Sequence, residues 1–335
     1  MPGRFGARHL FVAGLVSAVM SHGALAQDKI AIAWEAIPSF DASQPATTKF
    51  GSFTYLRGGV LTADHREFGG FSGLRIGEGG TAFLAISDRG KWLRARLQRG
   101  DGGAVQKLVF AQFSDVVGPS GEVAARKRDK DAEGLAVLGD RAFVSFERLD
   151  VVREYSVSAN GSPKFVRQVP YPFPVHELRQ NEGLEALAIA PATSVVGADN
   201  LVAISEGSIN PQGDLFAFVL AGGRRGTFFV KTRDDFNVTD AAFLPDGKLL
   251  LLERRFSLSK GLGMRIRLID SGDIRPGQTV DGPILMEANL GQSIDNMEGI
   301  SVWQNRQGET VISLISDDNL SFLQQTVYLE FRYDG

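Results

Sequence analysis

Five times along this chain a short apolar strand opens on a polar residue, a carboxylate in four of the five, followed by a small residue, and that recurrence constrains the fold more than any other feature. Asp131-Ala132-Glu133-Gly134-Leu135, Asn181-Glu182-Gly183-Leu184-Glu185 and Asn296-Met297-Glu298-Gly299-Ile300 are the clear copies. Phe71-Ser72-Gly73-Leu74 is a copy with Ser at the acid position, and Val238-Thr239-Asp240-Ala241-Ala242 is one with Ala in place of Gly. Anchors at 72, 133, 182, 240 and 298 lie 61, 49, 58 and 58 residues apart. A second signature follows each opening by one hairpin: Ser87-Asp88-Arg89, Phe146-Glu147-Arg148, Ser205-Glu206-Gly207, Leu252-Glu253-Arg254 and Ser316-Asp317-Asp318. Each places an acid at the end of an apolar second strand.

A period near sixty residues suits the four-stranded blade of a propeller. The strand runs are short, rich in Val, Leu, Ile and Phe, and bounded by turn residues. Phe243-Leu244-Pro245-Asp246-Gly247-Lys248-Leu249 carries Asp-Gly at its turn, and similar pairs surround Gly139-Asp140 and Gln307-Gly308. Thirty-nine Gly and twenty-three Phe fit the same class. The expected fold is an all-β propeller of five or six blades, a single domain over residues 27–335. The last unit stops after a third strand, Gln325 to Tyr333. An N-terminal strand, Ile30 to Ile37 or Phe53 to Leu61, would complete that blade and close the ring. Arg126 to Asp131 and the turn-rich Gly261 to Pro283 read as surface connections.

Residues 1–26 are expected to be a cleaved secretory signal. Arg4 and Arg8 precede the apolar run Leu10 to Met20, and Ala24-Leu25-Ala26 has the small-x-small form of a cleavage site. The expected address is therefore periplasmic or secreted. That run is too short to span a bilayer, and no second long apolar segment follows. The formal charge of −3 becomes more negative once Arg4 and Arg8 are gone, which speaks against nucleic acid as a partner. Zero cysteine excludes disulfides, thiolate nucleophiles and thiolate metal sites together.

In a propeller the first strand of each blade lines the central channel, so the repeated acids should meet around one mouth. Glycine after the acid would let neighbouring backbones crowd at the axis. Glu133, Glu182 and Glu298 are the candidate catalytic carboxylates. Asp88, Glu185, Asp240, Asp317 and Asp318 are candidate cation ligands, and Arg89, Arg148 and Arg254 candidate holders of a small anionic substrate. Convergent carboxylates repel unless something neutralises them. All-oxygen donors suit Ca2+, with Mg2+ as the alternative, and a chain with only His65 and His176 beyond the signal disfavours zinc. The competing structural reading makes each acid a staple that accepts backbone N–H groups of the next blade. A serine hydrolase fits poorly. Gly70-Phe71-Ser72-Gly73-Leu74 lacks the final Gly of a nucleophile elbow and has no strand-turn-helix context.

These same stretches resemble the phytase-like family, also described as "esterase-like activity of phytase" proteins. The resemblance is carried by Phe71-Ser72-Gly73-Leu74 with Ser87-Asp88-Arg89-Gly90, by the Glu133, Glu182-Gly183-Leu184-Glu185 and Glu298 openings, and by Ser316-Asp317-Asp318-Asn319. It covers about residues 50 to 335 and implies a secreted propeller with phosphoester or ester hydrolase activity. A non-catalytic binding or scaffolding propeller and a calcium-dependent lactone hydrolase are the alternatives. Ser72 and Ala241 depart from the pattern.

Overall fold

The computed structural model describes residues 28–124, 126–158, 161–170, 178, 183–257 and 260–335. The expected signal segment, His176 and Glu182 lie outside the described residues. Four strands precede the repeats: β1 (Asp28–Lys29), β2 (Ala33–Ile37), β3 (Lys49–Phe50) and β4 (Phe53–Thr62). Blade one is β5 (Phe71–Gly77), β6 (Ala82–Ser87), β7 (Lys91–Arg99) and β8 (Val105–Asp115), with β1 on its edge. Blade two is β9 (Ala132–Leu138), β10 (Arg141–Phe146), β11 (Val151–Ser156) and β12 (Lys164–Val169). Blade three comprises β13 (Leu184–Ile189), β14 (Leu201–Ile209), β15 (Leu215–Val219) and β16 (Gly226–Val230). Blade four runs β17 (Asn237–Phe243), β18 (Leu249–Ser257) and β19 (Gly261–Ile269). A short strand, β20 (Thr279–Val280), then crosses to the edge of blade three before β21 (Ile284–Asn289) completes blade four. Blade five is β22 (Asn296–Gln304), β23 (Thr310–Asp317) and β24 (Thr326–Tyr333).

The ring has five blades, not six. β4 pairs antiparallel with β24 from Leu61↔Thr326 to Phe53↔Tyr333, and β2 adds outside it, so both candidate N-terminal segments join blade five. The core divides into five apolar clusters, one between each pair of neighbouring blades. Strands buried on both faces need apolar side chains on both, which is why Leu249 to Leu252 reads as an unbroken run. Trp303 packs between blades five and one and donates its Nε1 to Ser313 Oγ at 2.9 Å.

Gly261 to Ile269 corrects the expected surface connection: it is the third strand of blade four. Arg265 and Arg267 disguised it, since two arginines in a nine-residue run look solvent-facing. Both are buried, and they face Glu253 on the neighbouring strand. A buried carboxylate supplies the compensation that lets two guanidinium groups leave water.

Candidate functional site

The register of the innermost hairpin slips at the same point in every blade. The extra residue is Ser72 in blade one, Glu133 in blade two, Glu185 in blade three, Thr239 in blade four and Glu298 in blade five. A bulge re-aims the side chain it carries, and here it brings Glu133, Glu185 and Glu298 to one mouth of the channel. The residue after the bulge faces a crowded axis. A Cβ on Gly134 would sit 2.2 Å from the Glu185 carbonyl oxygen, and one on Gly299 would sit 3.0 Å from the Leu74 nitrogen.

A second tier comes from the ends of the second strands. Asp88, Glu147 and Glu206 donate their backbone N–H groups to the carbonyls of Gly70, Asp131 and Gly183. Asp317 pairs with Asn296, and in blade four the same position is Arg254, opposite Asn237. With Asp131 beside Glu133, eight carboxyls share the mouth: Asp88, Asp131, Glu133, Glu147, Glu185, Glu206, Glu298 and Asp317. Two groups are tight enough that one oxygen from each member lies within 4.8 Å of the others: Asp131, Glu133 and Glu147, and Glu147, Glu185 and Glu206.

Their electrostatics form a closed loop. Burial pushes Glu133 well above the usual carboxylate range, with Asp131, Glu147 and Asp88 adding repulsion and a Ser72 hydrogen bond opposing it. Glu185 is likewise well above that range, from burial and then from Glu133, Glu206, Glu298 and Glu147. Burial takes Glu298 up to about 8 and Glu147 and Asp317 up to about 7. Asp88 is raised by burial as well. Against this stand few cations. The Arg254 guanidinium bridges Glu206 at 2.9 Å and Glu298 at 3.0 Å. Arg148 binds Asp131, with Lys127 4.0 Å from the same carboxylate. One oxygen of Asp88 is buried with no hydrogen-bond donor among the described residues.

The structure sorts the remaining candidates. Asp240 is not in the ring of bulge residues; Thr239 holds that position, and Asp240 takes the glycine position one step down the axis. It accepts from Arg75 and from the Ile300 and Ala241 amides, so it is a blade staple. Asp318 accepts the Gly70 and Leu320 N–H groups and the Thr326 hydroxyl, which pins blade five to blade one. Arg89 is exposed on the turn after Asp88. Glu253 lies in the middle of β18, one position before the place that Arg254 shares with the second-tier acids, and turns into blade four, where it meets Arg267. Asp131 and Arg75 escaped sequence reasoning. The signal for Arg75 was a lone charge between Leu74 and Ile76 on a strand buried at the axis.

Arg75 closes the channel beneath the acids. It donates to the Leu74, Ile300 and Leu187 carbonyls and to both oxygens of Asp240, touching four blades. The acid mouth is therefore a blind cup. A cleft of about 890 Å3 opens on the other side of Arg75, between blades one and two. Its one acidic lining residue, Glu78, is paired with Arg96.

Every donor in the cup is a carboxylate or hydroxyl oxygen, the chemistry that hard divalent cations take. The oxygen spacing and the donorless oxygen of Asp88 fit such an ion, and zinc finds neither His nor Cys among the described residues there.

A family model described as "Phytase-like: Esterase-like activity of phytase" matches residues 66–320. No curated protein matches the sequence. Among solved structures, Myxococcus xanthus glutaminyl cyclase is similar at 15% identity and a TM-score of 0.44, over 84% of this chain and 95% of that one. The PQQ-bound aldose sugar dehydrogenase of Streptomyces coelicolor is similar at 13% identity and 0.45, over 85% and 99%. An endo-arabinase of Bacteroides thetaiotaomicron is similar at 13% identity and 0.47, over 80% and 95%.

Proposed function

The chain belongs to the phytase-like family, and from that premise we propose that it is an exported, cation-dependent hydrolase of phosphoester or carboxylester bonds. The observation that carries this reading is the ring of eight carboxyls facing, among the described residues, few cations: Arg254, Arg148 and Lys127, with the exposed Arg89 beside Asp88. So much unneutralised charge in a half-buried cup needs a counter-ion, and the oxygen donors favour Ca2+, with Mg2+ second. The two triads sharing Glu147 are where it would be held. A bound divalent cation supplies charge neutralisation of a substrate oxygen and a more acidic water.

The chain's own groups do the rest. Glu298, pushed up to about 8 and placed beside Arg254, can orient a water and take its proton as the ester is attacked. Arg254 is positioned to hold an anionic oxygen of the substrate. Addition of water across the ester then yields an acid and an alcohol, the proton taken by Glu298 returning to the leaving oxygen. The signal-like segment at residues 1–26 supports export to the periplasm or beyond.

The test is a melting curve and a turnover assay on the same sample, first with calcium and then with chelator, using p-nitrophenyl phosphate and p-nitrophenyl acetate. A calcium-dependent rise in melting temperature together with turnover supports the enzyme. A calcium shift without turnover on either compound, or on a simple lactone, leaves a cation-binding propeller with no hydrolytic role.

A further inference from the structure

The loops around the acid cup carry apolar side chains out into water. The β23–β24 loop follows Asp317 and Asp318 directly, and in it Phe322 is 96% exposed and Leu323 78%. This loop is well ordered by its own bonds. Ser321 N–H donates to the Asp318 carbonyl and Gln324 N–H to that of Ser321, and Gln325 N–H and Gln324 Nε2 both reach the Asp295 carboxylate. Asn319 and Leu320 hold left-handed backbone, φ 47° and 49°, a conformation a leucine rarely adopts. A loop that is tied down and strained while presenting a phenylalanine to solvent is built for contact.

Asp295 links that loop to the β21–β22 connection, where Leu290 is 67% exposed. On the β18 end, Phe256 is 70% exposed and only two residues beyond Arg254, about 7 Å along a strand. Strand direction puts all these positions on the acid side of the ring, on the adjacent blades four and five. They belong to the two blades that carry Arg254, Glu298 and Asp317, whereas Asp131, Glu133 and Glu147 belong to blade two.

We propose that the substrate is amphiphilic, an ester or phosphoester whose polar head enters the carboxylate cup while its aryl or acyl group lies against Phe256, Leu290, Phe322 and Leu323. This rests on the hydrolase reading for the bond cleaved, but not for the ligand bound. A densely anionic polyol would gain nothing from this rim and would meet few basic side chains. An apolar chain gains affinity from each methylene it buries there.

Calorimetric titration of the full chain in calcium with methylphosphonate and hexylphosphonate, kept below micelle formation, tests it without turnover. The hexyl compound should bind about tenfold tighter, and the Phe322→Ser/Leu323→Ser double variant should lose most of that preference while binding methylphosphonate as before. If that variant misfolds, Phe256→Ser and Leu290→Ser repeat the test on other loops. Equal binding of the two phosphonates, binding of neither, or a hexyl preference untouched by the variants overturns the proposal. So does loss of binding to phosphatidylglycerol vesicles with the hexyl preference intact, which would assign the rim to a membrane surface. Hexyl preference without hydrolysis of either p-nitrophenyl hexanoate or hexyl p-nitrophenyl phosphate would keep the amphiphile and remove the hydrolase.

Discussion

Arg75 on the inner strand of blade one meets Asp240 on the inner strand of blade four across the channel axis, Nη1 to Oδ2 at 2.8 Å and Nη2 to Oδ1 at 3.1 Å. The Asp240 carboxylate is wholly buried and the Arg75 side chain nearly so. Removing Arg75 strands a wholly buried carboxylate, and removing Asp240 leaves a largely buried guanidinium without its counter-charge. Arg75→Met should therefore cost about 3–5 kcal/mol of stability by denaturant unfolding, and Asp240→Leu a similar amount. The double variant should lose clearly less than the sum. Single variants within about 1 kcal/mol of wild type would mean that the pair does not hold the ring shut.

The carboxyl cup predicts the direction of a pH effect. Glu298 rises from an ordinary 4.5 to about 8, and Glu147 and Asp317 reach about 7. The folded protein thus holds protons that the unfolded chain has already released. That contribution to stability is complete below the unfolded values and is lost as pH climbs through about 7 to 8. In chelator the melting temperature should fall by on the order of 5 °C between about pH 5 and about pH 8. Calcium should flatten or reverse the slope. A rising curve in chelator contradicts the arrangement of acids described here.

Glu185→Gln separates a ligand from a staple. Deleting one of several repelling charges should raise the metal-free melting temperature at pH above about 8, where the ring is most charged. The wild type should gain about 2.7 kcal/mol from calcium at a hundredfold excess over its Kd, and the variant much less. A variant destabilised in chelator, with its calcium response intact, would place Glu185 among the staples.

Glu253→Gln makes the opposite forecast. Its carboxylate lies between the buried Arg265 and Arg267, away from the cup. Unfolding should become easier by about 3–5 kcal/mol, with the calcium-induced shift unchanged. Loss of the calcium shift alone would show that blade four's interior and the cup are one network.

The propeller and its repeat were legible because a blade needs the same turn, bulge and crowded axis each time, so the same residue types recur. The openings at Glu133 and Glu298 fell in the ring for that reason. In the third blade Glu182 follows the motif's spelling and lies outside the described residues, while the register shift falls at the other candidate, Glu185, three residues on. Asp240 was misplaced for the same cause, since only the pairing of Val238 with Glu253 shows that Thr239 bulges. Arg254 was read as a substrate holder without its partners, which come from blades three and five and are distant in sequence. Likewise β19 was hidden because its arginines find their acid on another strand. Pairings between distant strands leave no local mark, and the errors gather there.

The seam between β4 and β24 bears on how the molecule comes to be made. The segment that completes blade five is near the start of the chain and its partner near the very end. Synthesis in the N-to-C direction delivers the closing strand long before there is anything for it to close. Four blades can assemble while Phe53–Thr62 waits with an open hydrogen-bonding edge, a template for wrong pairing. Slow closure of this long-range contact should dominate refolding, and a helper that covers that one edge would be the assistance this chain most needs.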